Sequence, residues 1–228
     1  MAFDPDRVET ITFDSYSTIV DVESATEALA DQIEHPAPAE VAAVWRERSL
    51  TYAAISNYLG EYEPFWEMVR HGLEYALAAH DITLTEERID TILGTYHDLD
   101  AFEDVRPGLE RLTALGYSLY IVSNGSPEML ETMIESADIA GLVTDAISAD
   151  EIETYKIDPA IYRHAAARTG TPARRIAHVS AGWFDACGAK NVGMQGIWVN
   201  RDGEPPEPWG PTPDLTVDGF HELTAAFE

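Results

Sequence analysis

Basic residues are scarce in this chain. Of its 228 residues only 14 are lysine or arginine, against 41 aspartates and glutamates, so the formal net charge is -27. Proteins that bind nucleic acid or anionic membranes replace counterions with clustered lysine and arginine. The charge balance therefore predicts that neither nucleic acid nor a membrane surface is a partner.

Lysine is the scarcest charged residue. The sequence contains only Lys156 and Lys190, and arginine supplies the other basic charges. An acidic chain that is nearly free of lysine resembles the salt-in proteins of halophilic archaea. The resemblance implies a protein from such an organism, adapted to high salt. Ordinary acidic bias is the alternative interpretation.

Cysteine pairs, long apolar runs and repeats are also lacking. The single cysteine, Cys187, excludes an internal disulfide, and the segment "MAFDPDRVET" has neither the basic start nor the apolar run of a signal peptide. No stretch approaches the roughly 20 apolar residues of a membrane span. The histidines lack the paired spacing of a zinc site, so each is interpreted as structural. We expect a cytoplasmic protein with no metal or other cofactor.

Apolar strand-like runs alternate with helical stretches along much of the chain. Six strands are predicted: "TITF" (10–13), "SLYIVS" (118–123), "DAIS" (145–148), "IAHVS" (176–180), "GIWV" (196–199) and "DLTV" (214–217). Amphipathic stretches such as "PGLERLTAL" and "PEMLETMIESA" lie between them. The alternation predicts the α/β class, with a Rossmann-like parallel sheet wrapped by helices.

The segment between Val22 and Leu99 has a different pattern, because apolar residues recur there at helical spacing, as in "EVAAVWRERSLTYAAI". We interpret residues 22–99 as a helical cap domain inserted into a core domain of residues 1–21 and 100–228. The insertion follows the first strand. It is therefore expected over the carboxyl edge of the sheet, where open parallel sheets bind ligands.

Residues capable of chemistry follow four of the predicted strands. They are Asp14 after the first, Ser123 and Asn124 at the end of the second, Lys156 past the third and Asp185 after the fourth. Since the carboxyl ends of parallel strands share one edge, these side chains are expected to meet. Local alternatives exist: the Ser-Asn pair or the second aspartate would also suit the cap of a following helix.

These four motifs resemble the haloacid dehalogenase superfamily, in which they occur in this order and at comparable intervals. Phosphatases of that superfamily carry a second Asp two residues beyond the nucleophile, because an alkoxide leaving group must be protonated. Here that residue is Tyr16. A halide leaves as a stable anion and needs no general acid. The match of Asp14, Tyr16 and Thr18, with Ser17 replacing the usual Gly, specifically resembles the type II L-2-haloacid dehalogenases.

The predicted cap extends this resemblance. The segment "VWRERSL" (44–50) is similar to the cap segment that contributes an active-site arginine, which by position would be Arg46. Leu50 and Phe65 match apolar pocket positions, and Glu47 stands where the family usually has Gln. Without the resemblance, Arg46 would be interpreted as a solvated charge on a helix.

The resemblance implies hydrolysis of small 2-haloalkanoic acids, which converts an L-2-haloacid into a D-2-hydroxyacid and halide. Asp14 would attack the carbon that bears the halogen and form an aspartyl ester. Thr18, Ser123 and Asn124 would bind carboxylates, and Lys156 would supply positive charge. Arg46 would assist the departing halide, and Ser180 and Asp185 would activate the water. Tyr162 would join the same network, and the implied substrate contacts are Tyr16, Leu50, Phe65, Asn124 and Phe184. Ordinary core packing is the alternative for Tyr162 and Phe184.

Departures from the family pattern leave two other functions open. Gly182 stands where the family usually has Asn, and Ile157 replaces the usual Pro after the motif lysine. A magnesium-dependent phosphatase of the same superfamily would hold its metal between Asp14 and Asp185. A catalytically impaired binding protein would keep the fold without turnover. Family members are often homodimers, so a homodimer acting on a small-molecule 2-halo acid is the expectation.

Overall fold

The computed structural model describes residues 3–228, and a six-stranded parallel sheet forms its centre. The strands are β1 (Thr10–Phe13), β2 (Ser118–Ser123), β3 (Asp145–Ser148), β4 (Ile176–Ser180), β5 (Gln195–Val199) and β6 (Leu215–Val217). Their order across the sheet is β3-β2-β1-β4-β5-β6, and each neighbouring pair is parallel. The predicted α/β fold with a Rossmann-like parallel sheet is confirmed.

The strand boundaries follow the sequence pattern with two small differences at the far edge of the sheet. β5 begins one residue earlier than predicted, at Gln195, and β6 begins at Leu215 instead of Asp214. The Asp214 carboxylate accepts a hydrogen bond from the backbone N–H of Gly196 at 3.0 Å and pairs with Lys190 Nζ at 2.9 Å. The Asp214 backbone N–H also donates to the Gly196 carbonyl at 2.8 Å, so backbone and side chain together hold this residue beside β5, just ahead of β6.

Residues 22–99, all of which the structure describes, contain helices and no strand. The helices are α1 (Glu23–Gln32), α2 (Pro38–Leu59), α3 (Phe65–Ala79) and α4 (Glu86–Gly94). Proline in the first turn of α2 fits a position that needs no backbone donor, and α2 ends at Gly60, whose φ of 70° suits glycine. We call residues 22–99 the helical segment.

Five more helices cover the two faces of the sheet. They are α5 (Val105–Ala114), α6 (Pro127–Ser136), α7 (Pro159–Thr169), α8 (Trp183–Lys190) and α9 (Phe220–Ala226). All four residues of β1 are buried, as expected for a central strand that is covered on both faces. None of the helices described for residues 3–228 has the length and apolar character needed to cross a membrane.

The helical segment is fixed over the carboxyl edge of the sheet by contacts with the loop after β3. The Asn57 side chain, on α2, bonds both backbone groups of Tyr155: its Nδ2 donates to the carbonyl at 2.9 Å and its Oδ1 accepts from the N–H at 3.0 Å. The Tyr155 hydroxyl donates to the Glu63 carbonyl, and the Tyr62 hydroxyl donates to Asp150. These bonds hold α2 beside the loop that carries the motif lysine.

Candidate active site

A cavity of about 660 Å³ lies between the carboxyl edge of the sheet and the helical segment. Most of the site residues predicted from sequence line it: Asp14, Tyr16, Arg46, Leu50, Phe65, Ser123, Asn124, Lys156, Ser180, Phe184 and Asp185. The other two, Thr18 and Tyr162, are fully buried behind the lining and donate hydrogen bonds to its carboxylates. The residues that the motifs single out therefore converge on one place.

Asp14 stands at the carboxyl end of β1, where its two oxygens have different partners. Lys156 Nζ donates to Oδ1 at 2.8 Å, and the Thr18 hydroxyl donates to Oδ2 at 2.9 Å. The Asp14 backbone N–H bonds the Val179 carbonyl of β4 at 2.9 Å, so the residue still belongs to the sheet edge. With 18% of its side chain exposed, the carboxylate is held in place and still faces the cavity.

Asp185 lies in the first turn of α8 and is almost completely buried, with 3% of its side chain exposed. Lys156 Nζ donates to its Oδ2 at 2.8 Å, and the Tyr162 hydroxyl donates to its Oδ1 at 2.6 Å. His178 Nε2 lies 3.0 Å from Oδ2. Burial alone would raise the pKa of Asp185, but Lys156 and His178 outweigh it and lower that pKa below its usual range.

Lys156 therefore bridges the two aspartates from a side chain that is 3% exposed. Burial disfavours the charged ammonium, yet Asp14 and Asp185 raise the pKa of Lys156 above its ordinary value. Its backbone N–H donates to Asn124 Oδ1 at 2.9 Å, which fixes the loop from the β2 side. The floor of the cavity is thus an ionised lysine shared by two carboxylates.

The two tyrosines predicted in the site carry neutral hydroxyls. Burial raises the pKa of Tyr162 well above its ordinary value, and the charge of Asp185 raises it further. The hydroxyl therefore stays protonated and donates to Asp185. Burial is the largest cause that raises the pKa of Tyr16, and Tyr96 and Asp14 raise it further. Among the residues that the structure describes, nothing bonds the buried Tyr16 hydroxyl. Its ring packs against Tyr96 with a centroid distance of 5.7 Å, as an apolar part of the wall.

The serines at the strand ends support the loops around the carboxylates. Ser123 Oγ lies 2.6 Å from Ser15 Oγ and accepts from the Gly125 N–H at 3.0 Å. Ser180 Oγ accepts from the Gly182 N–H at 3.1 Å. Both serines line the cavity, and each one also accepts a hydrogen bond that holds the loop after its strand.

The local capping interpretations are wrong. The residue before the first turn of α6 is Ser126, so Ser123 and Asn124 do not cap this helix. Gly182 precedes α8, and Asp185 lies inside the helix with its side chain turned to Lys156 and Tyr162. Ser123 instead bonds Ser15 and the Gly125 N–H, and Asn124 accepts from the Lys156 N–H.

The helical segment supplies the roof of the cavity through Arg46, Leu50 and Phe65. Arg46, half-buried on α2, donates from Nη1 to Thr26 Oγ1 at 2.7 Å. Leu50 is 45% exposed, whereas Phe65 is buried. Glu47 is exposed and is not among the described residues that line the cavity. Its replacement of the family glutamine therefore does not change the lining.

Two other departures from the family pattern have a structural reading. Ser17 has a φ of 64°, the left-handed conformation that glycine adopts freely and that costs another residue about 1 kcal/mol or more. At Gly182, an added Cβ would lie 3.1 Å from the Phe184 ring. The aromatic ring thus occupies the space that a side chain at Gly182 would need.

Sequence reasoning missed His178, because it treated every histidine as structural. This residue lies in the middle of β4, fully buried, and contacts Asp185 directly. Its other ring nitrogen, Nδ1, lies 2.8 Å from the hydroxyl of Thr12, its partner in the register of β1 with β4. The available signal was a histidine inside the strand-forming run "IAHVS" of a central strand.

Metal-binding groups are not assembled here. Within residues 3–228, no cluster of three or more histidine, cysteine, aspartate or glutamate side chains is arranged to hold a metal ion. Between Asp14 and Asp185, the position that a shared cation would take is occupied by the Lys156 ammonium, 2.8 Å from each carboxylate.

Comparison with known proteins gives consistent results. A family profile described as haloacid dehalogenase-like hydrolase matches residues 8–193. The (S)-2-haloacid dehalogenase 4A of Burkholderia cepacia is 32% identical over 202 residues, covering 89% of this chain and 87% of that protein. Haloacetate dehalogenase H-2 of Moraxella sp. (strain B) is 32% identical over 212 residues, covering 92% and 94%.

A solved structure agrees with these relatives. The crystal structure of an L-2-haloacid dehalogenase superposes with a TM-score of 0.93 at 32% sequence identity, over 96% of this chain and 98% of that one. The fold is thus shared along almost the whole chain. This chain belongs to the haloacid dehalogenase-like hydrolases.

Proposed function

We propose that this protein hydrolyses the carbon–halogen bond of small 2-haloalkanoic acids, turning an L-2-haloacid into a D-2-hydroxyacid and halide. The observation that carries the proposal is the bridge of Lys156 between Asp14 and Asp185, combined with Tyr16 where a phosphatase needs a second carboxylate. The relatives named (S)-2-haloacid dehalogenase support the same chemistry. Residues 1–21 and 100–228 act as the core domain and residues 22–99 as the cap.

In the first step an Asp14 oxygen attacks C2 of the substrate, and the carbon–halogen bond breaks with its electron pair leaving on the halide. Lys156 holds one oxygen of the Asp14 carboxylate through a charge-assisted hydrogen bond, and Thr18 holds the other. Attack from the side opposite to the halogen inverts the configuration at C2. Because the halide leaves as an anion, no proton donor is required, and the neutral Tyr16 ring serves as a wall.

In the second step a water molecule attacks the Asp14 carboxyl carbon of the ester, and the bond from that carbon to the substrate oxygen breaks. Asp185 orients this water, and Ser180 supports the loop beside it. One water proton ends on the departing substrate oxygen, which leaves as the hydroxyl of the product, and the other passes to solvent, so Asp14 returns as a carboxylate. The lowered pKa of Asp185 makes it a weak base, so its main contributions are orientation and negative charge. Solvent oxygen therefore enters Asp14 before it enters the product.

The roof binds the rest of the substrate. Arg46 assists the leaving halide or holds the substrate carboxylate, while Leu50, Phe65 and Phe184 contact the alkyl group. Ser123 and Asn124 complete the carboxylate site.

Two variants test the two steps separately. Asp185→Asn keeps the nucleophile, so it is expected to release about one halide per active site and then stall with an ester on the Asp14 peptide. Asp14→Asn should give neither burst nor adduct, with turnover reduced at least about 1,000-fold. Halide release from both enantiomers of 2-chloropropionate, followed by peptide mass spectrometry, measures this. An unmodified Asp14 peptide in Asp185→Asn that has released halide would contradict the covalent route.

The same assay includes the phosphatase arm, in which p-nitrophenyl phosphate with magnesium replaces the halo acid. Phosphate release without halide release would replace the proposal with phosphatase activity. Release of neither would favour a binding protein that has lost turnover.

We also propose that the chain is a cytoplasmic protein of a halophilic archaeon, a proposal supported by its charge of -27, its two lysines and its single, buried cysteine. Self-repulsion extends about 30 Å at 0.01 M salt but only about 3 Å at 1 M. The melting temperature should therefore rise strongly with potassium chloride, most steeply at low concentration. A melting temperature independent of salt would contradict the adaptation.

A homodimer is proposed through an apolar face on the helical segment. Ile55, Tyr58, Leu59 and Tyr75 are large and exposed there, on an otherwise acidic protein. Glu61, Glu63 and Glu74 border these side chains, so burial of the apolar surface against the same face of a second copy is the driving force of the proposed dimer. Light scattering in molar salt should give twice the 25.2 kDa of one chain. Tyr58→Glu combined with Leu59→Glu should give a monomer, and a wild-type monomer would contradict the proposal.

A further inference from the structure

His178 is a buried imidazole whose two nitrogens both have partners. The side chain lies in the middle of β4 with no exposed surface. Nδ1 is 2.8 Å from the Thr12 hydroxyl and Nε2 is 3.0 Å from Asp185 Oδ2. The Tyr162 ring packs edge-on against the imidazole at a centroid distance of 5.6 Å, so the ring cannot turn freely.

The ionised partner determines the direction of one of these hydrogen bonds. An ionised Asp185 has no proton to give, so His178 Nε2 must carry the hydrogen in that contact. Nδ1 lies 2.8 Å from the Thr12 hydroxyl, whose other contact, to the Ala177 carbonyl, is longer at 3.4 Å. Thr12 therefore anchors the second ring nitrogen while Nε2 faces Asp185.

The donors on Asp185 differ in what happens to them during the proposed reaction. Lys156 is shared with Asp14, and Asp14 loses its negative charge when it becomes an ester. The charge balance around the ammonium therefore changes between the two steps. His178 contacts Asp185 and Thr12 and is more remote from Asp14, so its bond to Oδ2 stays the same in both steps.

We propose that His178 is a positioning residue for hydrolysis of the aspartyl ester: it holds Asp185 ionised and aimed while the nucleophile is esterified. The inference rests on the proposed function and adds a residue that acts through Asp185 without touching substrate. It predicts an effect confined to the second step, because the first needs only Asp14, its donors and halide assistance.

Two variants separate this role from a general packing role. His178→Phe keeps a planar ring against Tyr162 but removes the donor, and His178→Gln keeps an amide donor near the position of Nε2. In single-turnover experiments with L-2-chloropropionate, quenched halide release measures the first step, and the amount of esterified Asp14 by mass spectrometry measures the second. Melting temperatures in the same molar salt show whether each variant is folded.

For His178→Phe we expect halide burst rates within about twofold of wild type and ester hydrolysis slowed about 10- to 100-fold, the usual effect of losing a hydrogen bond to a charged group. The ester should then accumulate, and His178→Gln should recover a large part of the rate. An equal fall in both steps would overturn the inference, as would unslowed hydrolysis in His178→Phe.

A measurement without turnover keeps this test distinct from the test of the proposed function. In ¹⁵N-histidine-labelled wild-type protein, the imidazole nitrogen shifts of His178 should show a protonated Nε2, and Asp185→Asn should shift that signal. An unprotonated Nε2 in the wild type would overturn the inference even if the enzyme is active. Wild-type protein that releases no halide would overturn the proposed function, and the hydrolytic role of His178 with it.

Discussion

The floor and the roof of the cavity are held together in different ways. In the floor, Lys156 and Asp185 have side chains only 3% exposed, and each is hydrogen-bonded to two or more partners within 3.0 Å. In the roof and rim, Leu50 and Phe184 are 45% and 38% exposed and contribute apolar surface without directional bonds.

This difference follows from the elements that carry the two regions. In the floor, Asp14 stands at the end of β1, whereas Lys156 lies in the loop after β3 and Asp185 in the first turn of α8, and direct hydrogen bonds fix their separation. The apolar roof and rim residues stand on α2 and at the starts of α3 and α8, where side chains have more freedom. The contrast teaches that the geometry of the reacting groups is set by buried hydrogen bonds at the carboxyl edge of the sheet, whereas the size and shape of the accepted substrate depend on helix surfaces.

The strongest way to break this comparison is to remove the cation of the floor. Lys156→Met leaves two carboxylates facing each other, so halide release should be lost and the unfolding free energy at pH 7 should fall by about 3 kcal/mol or more. Arg111→Met is the control, because the ion pair of Arg111 with Glu228 is 51% and 49% exposed and its loss should change stability by less than about 1 kcal/mol. Urea unfolding in molar salt measures both. Equal losses in the two variants would contradict the distinction between floor and surface.

The sign of the pH dependence sharpens this test. The lowered pKa of Asp185 gives stability that is present above its unfolded value of about 3.9 and is lost as the pH falls through the folded pKa. The raised pKa of Lys156 gives stability that is present below about 10.4 and is lost as the pH rises through its folded value. Without Lys156, protonation of the buried Asp185 stabilises the folded state. The stability gap between wild type and Lys156→Met should therefore narrow as the pH falls below about 4.

A smaller effect is expected when Arg46, in the roof, loses the planar set of donors on its guanidinium. Arg46→Lys keeps the positive charge but not the planar guanidinium, so kcat/KM for L-2-chloropropionate should fall about 100-fold with little change in melting temperature. Arg48→Lys is the control, since Arg48 lies on the same helix and stacks over Tyr75, 4.2 Å from the ring centroid. An equal effect of the two variants would place the contribution of Arg46 in the helix and not in the cavity.

A still smaller effect is expected from the apolar roof. Leu50→Ala should raise KM about threefold and leave kcat nearly unchanged, because an already half-exposed side chain has little burial to lose. Leu115→Ala, at an exposed position outside the cavity lining, should leave both constants unchanged. A fall in kcat as large as that of Arg46→Lys would mean that the roof also positions the reacting groups.

The smallest effect, none at all, is expected on treatment with EDTA. The Lys156 ammonium already occupies the position between the carboxylates, and halide displacement involves no phosphoryl charge for a metal to neutralise. Halide release should be equal before and after chelation. Loss of activity that magnesium restores would contradict this view of the floor.

The sequence by itself determined the sheet and the order of the motifs. β1 to β4 occupy the predicted residues, because strand-forming runs are local patterns bounded by polar residues. Asp14 was identifiable because it ends an apolar run, and Lys156 and Asp185 were identifiable because they follow later strands in the order and spacing of a known family.

Only the tertiary structure decided which side chains meet. Thr12 and His178 are 166 positions apart and pair because β1 lies beside β4 in one register. Helix packing against the edge of the sheet likewise decides two other contacts. They are the two hydrogen bonds between Asn57 and the Tyr155 backbone, and the approach of the Phe184 ring to Gly182. Such contacts are set by strand register and helix packing, which act through space, so the local sequence around each partner carries little trace of the other.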